Sequence, residues 1–304
     1  MRILVTGASG LLGLNLSLLM TPDHEIVGVD RSKLNGVPFR LVNADLLEPG
    51  VCSRLMDMVH PEAVIHTAAN ALVDACERDP IGAHRLNAEL PGELAELCAK
   101  RSIRLIHIST DAVFDGTKDG LYTEADAPNP LSVYAQTKLD GERNVLSVNP
   151  QAAVARVNFF GWSLSGSRSL VEFFFNHLSA GQPCNGFTDV WFCPMFVGDL
   201  AETLVRMLEK GLSGLYHAVG SESRTKYDFG VQVARQFGFD ETLIIPISVE
   251  QAGLQARRSH NLRLSVNKLS TDLGMTIPGV SAGLPKFYAQ YRQGYPQKIR
   301  SYQQ

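Results

Sequence analysis

The segment Met1-Arg-Ile-Leu-Val-Thr6 reads as an apolar strand and runs straight into Gly7-Ala8-Ser9-Gly10-Leu11-Leu12-Gly13, where a largely apolar stretch extends to Met20. Three glycines between a strand and a helix narrow the fold more than any other feature of the chain. Glycine permits the sharp turn, lets ligand oxygens approach the backbone and lets the helix pack close to the strand. The free N–H groups and the helix dipole then stabilise negative charge. Such a turn suits the pyrophosphate of a dinucleotide, with Gly7, Gly10, Leu11, Leu12 and Gly13 as the predicted contacts and Gly10→Val as a substitution expected to block binding.

Short β-rich runs recur at residues 3–6, 25–29, 39–42, 63–66, 104–109 and 153–157, with helical stretches such as 11–20 and 90–101 between several of them. Alternation of this kind predicts parallel strands joined by crossover helices. Runs such as ILV and AVI are apolar throughout, and LIHI is so apart from His107, which fits a sheet covered on both faces. The expected fold is α/β, a doubly wound parallel (Rossmann) sheet with a smaller C-terminal α+β lobe. Residues 1–157 would form the dinucleotide-binding domain, with 197–219 returning to its sheet. Residues 158–196 and 220–304 would form the substrate lobe, including helices at 170–178 and 227–237 and a strand at 243–249, while a helix at 199–209 falls in the returning segment.

Composition excludes several classes. A net charge of -3 and a pI near 6.2 leave no concentrated basic surface for nucleic acid or anionic membrane. No apolar run reaches the length of about 18 residues needed to span a bilayer, and the N-terminal segment lacks a cleavage pattern, so a cytoplasmic location is expected. The five cysteines, Cys52, Cys76, Cys98, Cys184 and Cys193, include no C-x-x-C pair. They are therefore expected to be reduced, and no metal site is expected. The run Phe173-Phe174-Phe175 reads as core or as a helix face between subunits, so a homodimer is compatible with it.

Asp30 ends the second strand, near the position about 20 residues past the glycines where a carboxylate can bond both ribose hydroxyls of NAD. Arg31 follows it, and a guanidinium there favours the 2′-phosphate of NADP. The two cofactors are close to balanced, with a slight preference for NADP. Asp45 and Leu46, after the third strand, are placed at the adenine, or Asp45 serves as a helix-start carboxylate.

Tyr134 and Lys138 stand one helical turn apart and share a face. The preceding Pro128-Asn129-Pro130 cluster halts what comes before and leaves Ser132 as the cap. Ser109-Thr110-Asp111 ends the strand RLIHIS at the sheet edge where ligands of such folds bind. Convergence of Thr110, Tyr134 and Lys138 predicts hydride chemistry on a carbonyl, with Tyr134 as the acid and Thr110 holding the oxygen. Lys138 would fix the nicotinamide ribose and lower the phenol's pKa by roughly 3 units.

These pieces, with HTAA at 66–69, VDACE at 73–77, Asn87, STDAVFDG at 109–116, YAQTK at 134–138, GLYH at 214–217 and ARRSHNLRL at 256–264, resemble the extended short-chain dehydrogenase/reductases. Within that family the motifs are similar to the dTDP-4-dehydrorhamnose reductase branch. The resemblance implies a nucleotide-linked 4-keto-6-deoxy sugar as substrate. It places Ala68, Ala69 and Asn70 at the nicotinamide half, and Val73, Thr110, Asp111, Phe159, Arg257 and Arg258 around the sugar nucleotide. The chain departs from the branch at Ala112 (tyrosine there), Phe159 (tryptophan) and Ser259 (proline). Asn15 stands where metal-bridged relatives are often acidic, which argues against a metal-linked dimer. Two alternatives are a nucleotide-sugar epimerase and a non-catalytic subunit that keeps the dinucleotide site, as in a methionine adenosyltransferase regulatory partner.

Overall fold

The computed structural model describes residues 1–253 and 259–303. Strands β1 (Arg2–Thr6), β2 (Glu25–Asp30), β3 (Arg40–Asn43), β4 (Ala63–His66), β5 (Arg104–Thr110) and β6 (Ala153–Val157) belong to one sheet. Four short strands follow: β7 (Phe159–Phe160), β8 (Cys184–Phe187), β9 (Trp191–Phe192) and β10 (Met195–Phe196). The chain then returns as β11 (Gly214–Ala218) and continues through β12 (Arg224–Thr225), β13 (Ile244–Ile247) and β14 (Asn261–Leu262). Strands β1 to β6 and β11 form a seven-stranded sheet in the order β11-β6-β5-β4-β1-β2-β3, every pair parallel. This is the doubly wound α/β fold that the repeated apolar runs predict.

Helices cover both faces. In chain order they are α1 (Leu11–Met20), α2 (Val51–Val59), α3 (Val73–Arg78), α4 (Pro80–His84), α5 (Leu90–Lys100) and α6 (Val133–Val148). After β6 come α7 (Leu170–Ser179), α8 (Val197–Glu209), α9 (Lys226–Phe237), α10 (Asn267–Leu273), α11 (Val280–Arg292) and α12 (Tyr295–Ser301). Alternate residues of β1 split between the layers: Ile3 and Val5 join the cluster with α1 and α8, while Leu4 packs with α2 and α5. Burial on both faces explains why these strands carry no polar alternation.

One turn of π-helix, Arg85–Glu89, links α4 to α5. Pro91 has no N–H to offer the carbonyl of Asn87, four residues back, so the regular ladder cannot continue there. That carbonyl packs instead on Gly141 of α6, where a Cβ would stand 2.3 Å from it. Such bulges gather at functional sites, and this one turns the Asn87 side chain toward the edge of the sheet.

The remaining strands form small sheets, β10-β7, β12-β9-β14 and β13-β8, packed with α7, α9 and α11. Their aromatic residues are continuous with the sheet core: Phe160, Trp162, Phe174, Phe229 and Phe287 belong to the same buried cluster as Ile3 and Val5. Most boundaries shift by a residue or two from the sequence expectation, and three local differences stand out. The strand placed at 243–249 is only Ile244–Ile247, because 3-10 turns capped by Asp240 and Ser248 take its ends. The helix placed at 199–209 starts at Val197. Asp45 does not open a helix, since α2 begins at Val51 and the Asp45 carboxylate instead accepts a bond from Leu47 N at 2.9 Å.

Candidate active site

The glycine turn is fixed by two close approaches. Gly7 has φ +70°, and a Cβ there would meet the backbone of Ala68 at 2.8 Å. At Gly13 a Cβ would stand 2.2 Å from the Gly7 carbonyl oxygen and 2.9 Å from Thr67 Oγ1. Helix α1 begins with Gly10 in extended geometry and no side chain capping its first amides, so those N–H groups point outward as a ready anion site. Leu12 is buried in the core, whereas Leu11 faces the opening.

A cleft of about 360 Å³ opens over this turn. Its near wall runs from Gly7, Gly10 and Leu11 through Asp30 and Arg31 to Asp45 and Leu46, and past Thr67 to Ala68 and Ala69. Ser163, Leu164, Ser165 and Arg168 supply the facing wall. The Asp30 carboxylate accepts from Ser9 N at 2.9 Å and Ser32 N at 2.8 Å, which locks it at the mouth. Arg31 lies on the rim with its side chain 70% exposed, 3.7 Å from Asp45. The serine wall is organised by buried Glu172, which accepts bonds from Ser163 N and Oγ, Arg168 N and Ser169 N and Oγ.

Strand β4 leads into Thr67 to Asn70, and its neighbour β5 ends at Thr110, so the second group of predicted residues sits beside the first. Asn70 is held by Asn87, whose Oδ1 accepts from Asn70 N at 2.9 Å while its Nδ2 donates to Asn70 O at 3.0 Å and Thr137 Oγ1 at 3.1 Å. Helix α6 starts with Ser132 capping Ala135 N and Glu77 accepting from Val133 N at 2.9 Å. These contacts fix Tyr134 in the first turn, half-buried, with its phenol next to the Thr110 hydroxyl, which itself donates to Asp111 at 3.2 Å. Burial pushes the phenol up to about 12.

That direction corrects the expectation of a phenol acidified by Lys138. The Lys138 ammonium, 3% exposed, donates instead to the Ile108 carbonyl at 2.6 Å, and burial lowers it to about 8 while Glu142 opposes the drop. Asp111 is also buried, and desolvation raises it to about 6 against the bonds it accepts from Asn158 Nδ2 and Thr110 Oγ1. Val73 opens α3 half-buried. Phe159 packs partly against the core cluster rather than standing free. Arg257 and Arg258 lie outside the described residues.

Glu142, Arg156 and Asn158 carried no role in the sequence reading, and Glu77 and Asn87 entered it only as parts of the matching motifs. Their signal was present in part, since His107, Ser109 and Arg156 are polar positions in strands that are otherwise apolar. Asn15 is structural: its amide donates to Leu11 O and Trp162 O, and Tyr295 OH donates to its oxygen at 3.0 Å. Among the described residues no cluster of His, Cys, Asp and Glu could hold a metal ion, and no helix is long and apolar enough to cross a membrane.

Comparison with known proteins agrees with this architecture. The family described as RmlD substrate binding domain matches residues 1–293. A probable low-salt glycan biosynthesis reductase of Haloferax volcanii is 34% identical over 295 residues, 96% of this chain and 98% of that one. The methionine adenosyltransferase 2 subunit beta of Rattus norvegicus is 34% identical over 289 residues, 91% of this chain and 84% of its own. The solved dTDP-4-dehydrorhamnose reductase of Bacillus anthracis, in complex with NADP, superposes with a TM-score of 0.85 at 24% identity, over 95% of this chain and 99% of that one. The chain therefore belongs to the RmlD substrate binding domain family and is an oxidoreductase of the NAD(P)-dependent class.

Proposed function

We propose that the chain reduces the 4-keto group of a nucleotide-linked 6-deoxy sugar, with Tyr134 as general acid. The observation that carries this reading is the juxtaposition of Thr110 and Tyr134, with Lys138 one turn on, at the end of the strand next to the one that leads into the cleft over the glycine turn. The uncapped start of α1, the close approaches at Gly7 and Gly13 and the locked Asp30 carboxylate fit a dinucleotide. When bound, that cofactor supplies a hydride to the carbonyl carbon. Thr110 then donates to the substrate oxygen, and Tyr134 releases its proton to that oxygen as negative charge develops. A phenol near pKa 12 is fully protonated at neutral pH, the state an acid needs. Lys138 holds the nicotinamide ribose, and Asp111 and Asn158 orient the sugar.

NADP is the favoured cofactor by a small margin. Both Asp30 oxygens already accept backbone amides, and the exposed Arg31 guanidinium on the rim supplies a cation suited to a 2′-phosphate. Assay of NADPH and NADH oxidation against a panel of 4-keto sugar nucleotides tests the proposal. Turnover of at least one is expected, with Tyr134→Phe lowering it by roughly 10² to 10⁴ and leaving cofactor affinity nearly intact. Equal turnover in the variant removes the phenol from the mechanism.

A second reading is favoured by one observation, the match over 91% of the chain to a methionine adenosyltransferase subunit beta. In that reading the dinucleotide site serves regulation. Silence across the panel, together with copurification of a larger enzyme, would select it.

A further inference from the structure

Beneath α6 the C-terminal ends of the strands present a row of polar side chains to the sheet's inner face. Thr6 lies beside His66, His66 beside His107, and Ser109 beside Arg156, which in turn neighbours His217. Helix α6 places two further charges against this row, Lys138 and, one turn later, Glu142. Lys138 and Glu142 are 3% exposed and Arg156 is 2% exposed, an arrangement that needs internal pairing because isolated buried charges are strongly disfavoured.

The pairing is specific. Glu142 Oε1 accepts from Ser109 Oγ at 2.5 Å and Arg156 Nε at 2.9 Å, and Oε2 accepts from Arg156 Nη2 at 2.7 Å. Arg156 also lies over the Phe114 ring, 4.9 Å from its centroid. Lys138 has the Ile108 carbonyl as its hydrogen-bond acceptor but no carboxylate in direct contact among the described residues. The titratable groups around it are His66 from β4, His107 from β5 and Glu142 from its own helix, with Arg156 of β6 behind the carboxylate. Both histidines are held neutral by burial and by the Lys138 charge. Glu142 is therefore the anion of this layer that acts on the lysine.

We propose that Glu142 is a positioning residue of the site: a buried carboxylate, clamped by Ser109 and Arg156, that keeps the Lys138 ammonium charged and seated on the Ile108 carbonyl. The clamp denies Glu142 a direct contact that would pull Lys138 away from the cleft, while leaving its charge one helical turn distant. The proposal rests on the role assigned to Lys138 above, but its test does not need turnover.

Protein labelled with ¹³C at the lysine ε-methylene reports the Lys138 protonation midpoint by NMR, with Lys138→Met assigning the signal. The wild-type midpoint is expected at about 8. Glu142→Gln should lower it by roughly one pH unit or more, the effect of losing a unit charge one turn away in an intermediate dielectric. Glu142→Asp should restore most of the difference. Ser109→Ala, which removes a clamp bond but no charge, should leave the midpoint within a few tenths of a unit. Glu142→Gln strands the Arg156 guanidinium, so the double variant Glu142→Gln/Arg156→Met removes both charges together and should fold. The lowered midpoint should persist in it. A folded variant lacking Glu142 with an unmoved Lys138 midpoint would overturn the proposal. Absence of sugar-nucleotide turnover in the wild type would instead refute the proposed function and leave this measurement intact.

Discussion

Acidification from pH 7 to pH 5 should destabilise this protein through histidines buried in the polar row. His66 and His217 are 1% and 0% exposed, and burial lowers both to about 3 from an ordinary 6.5. His66 Nδ1 is engaged with Thr6 Oγ1 at 2.7 Å and His217 Nδ1 with the Ser265 carbonyl at 3.2 Å, so neither ring gains a carboxylate on protonation. Between the two pKa values the unfolded chain binds protons that the folded chain refuses. Stability is therefore present above pH 6.5 and falls as the pH drops below it. Integrated to pH 5, each ring removes about 2 kcal/mol. Asp111, raised to about 6, acts in the opposite direction, since the folded state holds its proton more tightly, and it returns about 1.3 kcal/mol. The net loss from these three groups is about 2.5 kcal/mol, and His107, also lowered by burial, adds to it. Urea unfolding at both pH values measures the difference directly. In His217→Gln the loss on acidification should shrink by about 2 kcal/mol. Equal unfolding free energies at pH 7 and pH 5 in the wild type would refute the reasoning.

Two further substitutions test the cleft. Gly13→Ala forces a methyl group to within 2.2 Å of the Gly7 carbonyl, so the turn must move; dinucleotide affinity, followed by NADPH fluorescence, should fall at least about tenfold. Glu172→Gln replaces the acceptor of the serine wall's amides and hydroxyls with an amide that both donates and accepts. It should lower stability by roughly 2 kcal/mol in thermal unfolding and weaken the cofactor while sparing the Thr110 and Tyr134 contact.

The sheet was readable because burial on two faces demands continuous apolar runs, and β1, β4 and β5 show them plainly. The glycine turn and Asp30 were readable for a similar reason, since each is a local consequence of strand, turn and helix. Of the two readings of Asp45 only the helix start is excluded, because an aspartate bonding the amide two residues on looks, in sequence, like one opening a helix; its side chain lines the cleft. The surroundings of Lys138 and Glu142 were hidden for a different reason: although the two stand four residues apart on one helix, Ile108, Ser109 and Arg156 reach them only through the parallel register of β5 with β6 and the seat of α6 on them. Nothing in the spacing of Tyr134 and Lys138 shows that the ammonium turns to a backbone carbonyl. The π-turn at Asn87 was hidden as well, although Pro91 within a helical pattern was its trace.

The apolar body shared by the sheet and the C-terminal lobe limits how this molecule can admit its ligands. Swinging the lobe away as a unit would bring Phe160, Phe174, Phe229 and Phe287 into water, at about 1.5 to 3 kcal/mol for each ring. That is comparable to the whole stability of an ordinary fold. Entry and release are therefore confined to rearrangements of short connecting segments at the rim. Differences in ligand choice between this chain and its relatives should be sought there, in a few surface residues, rather than in the angle between two moving halves.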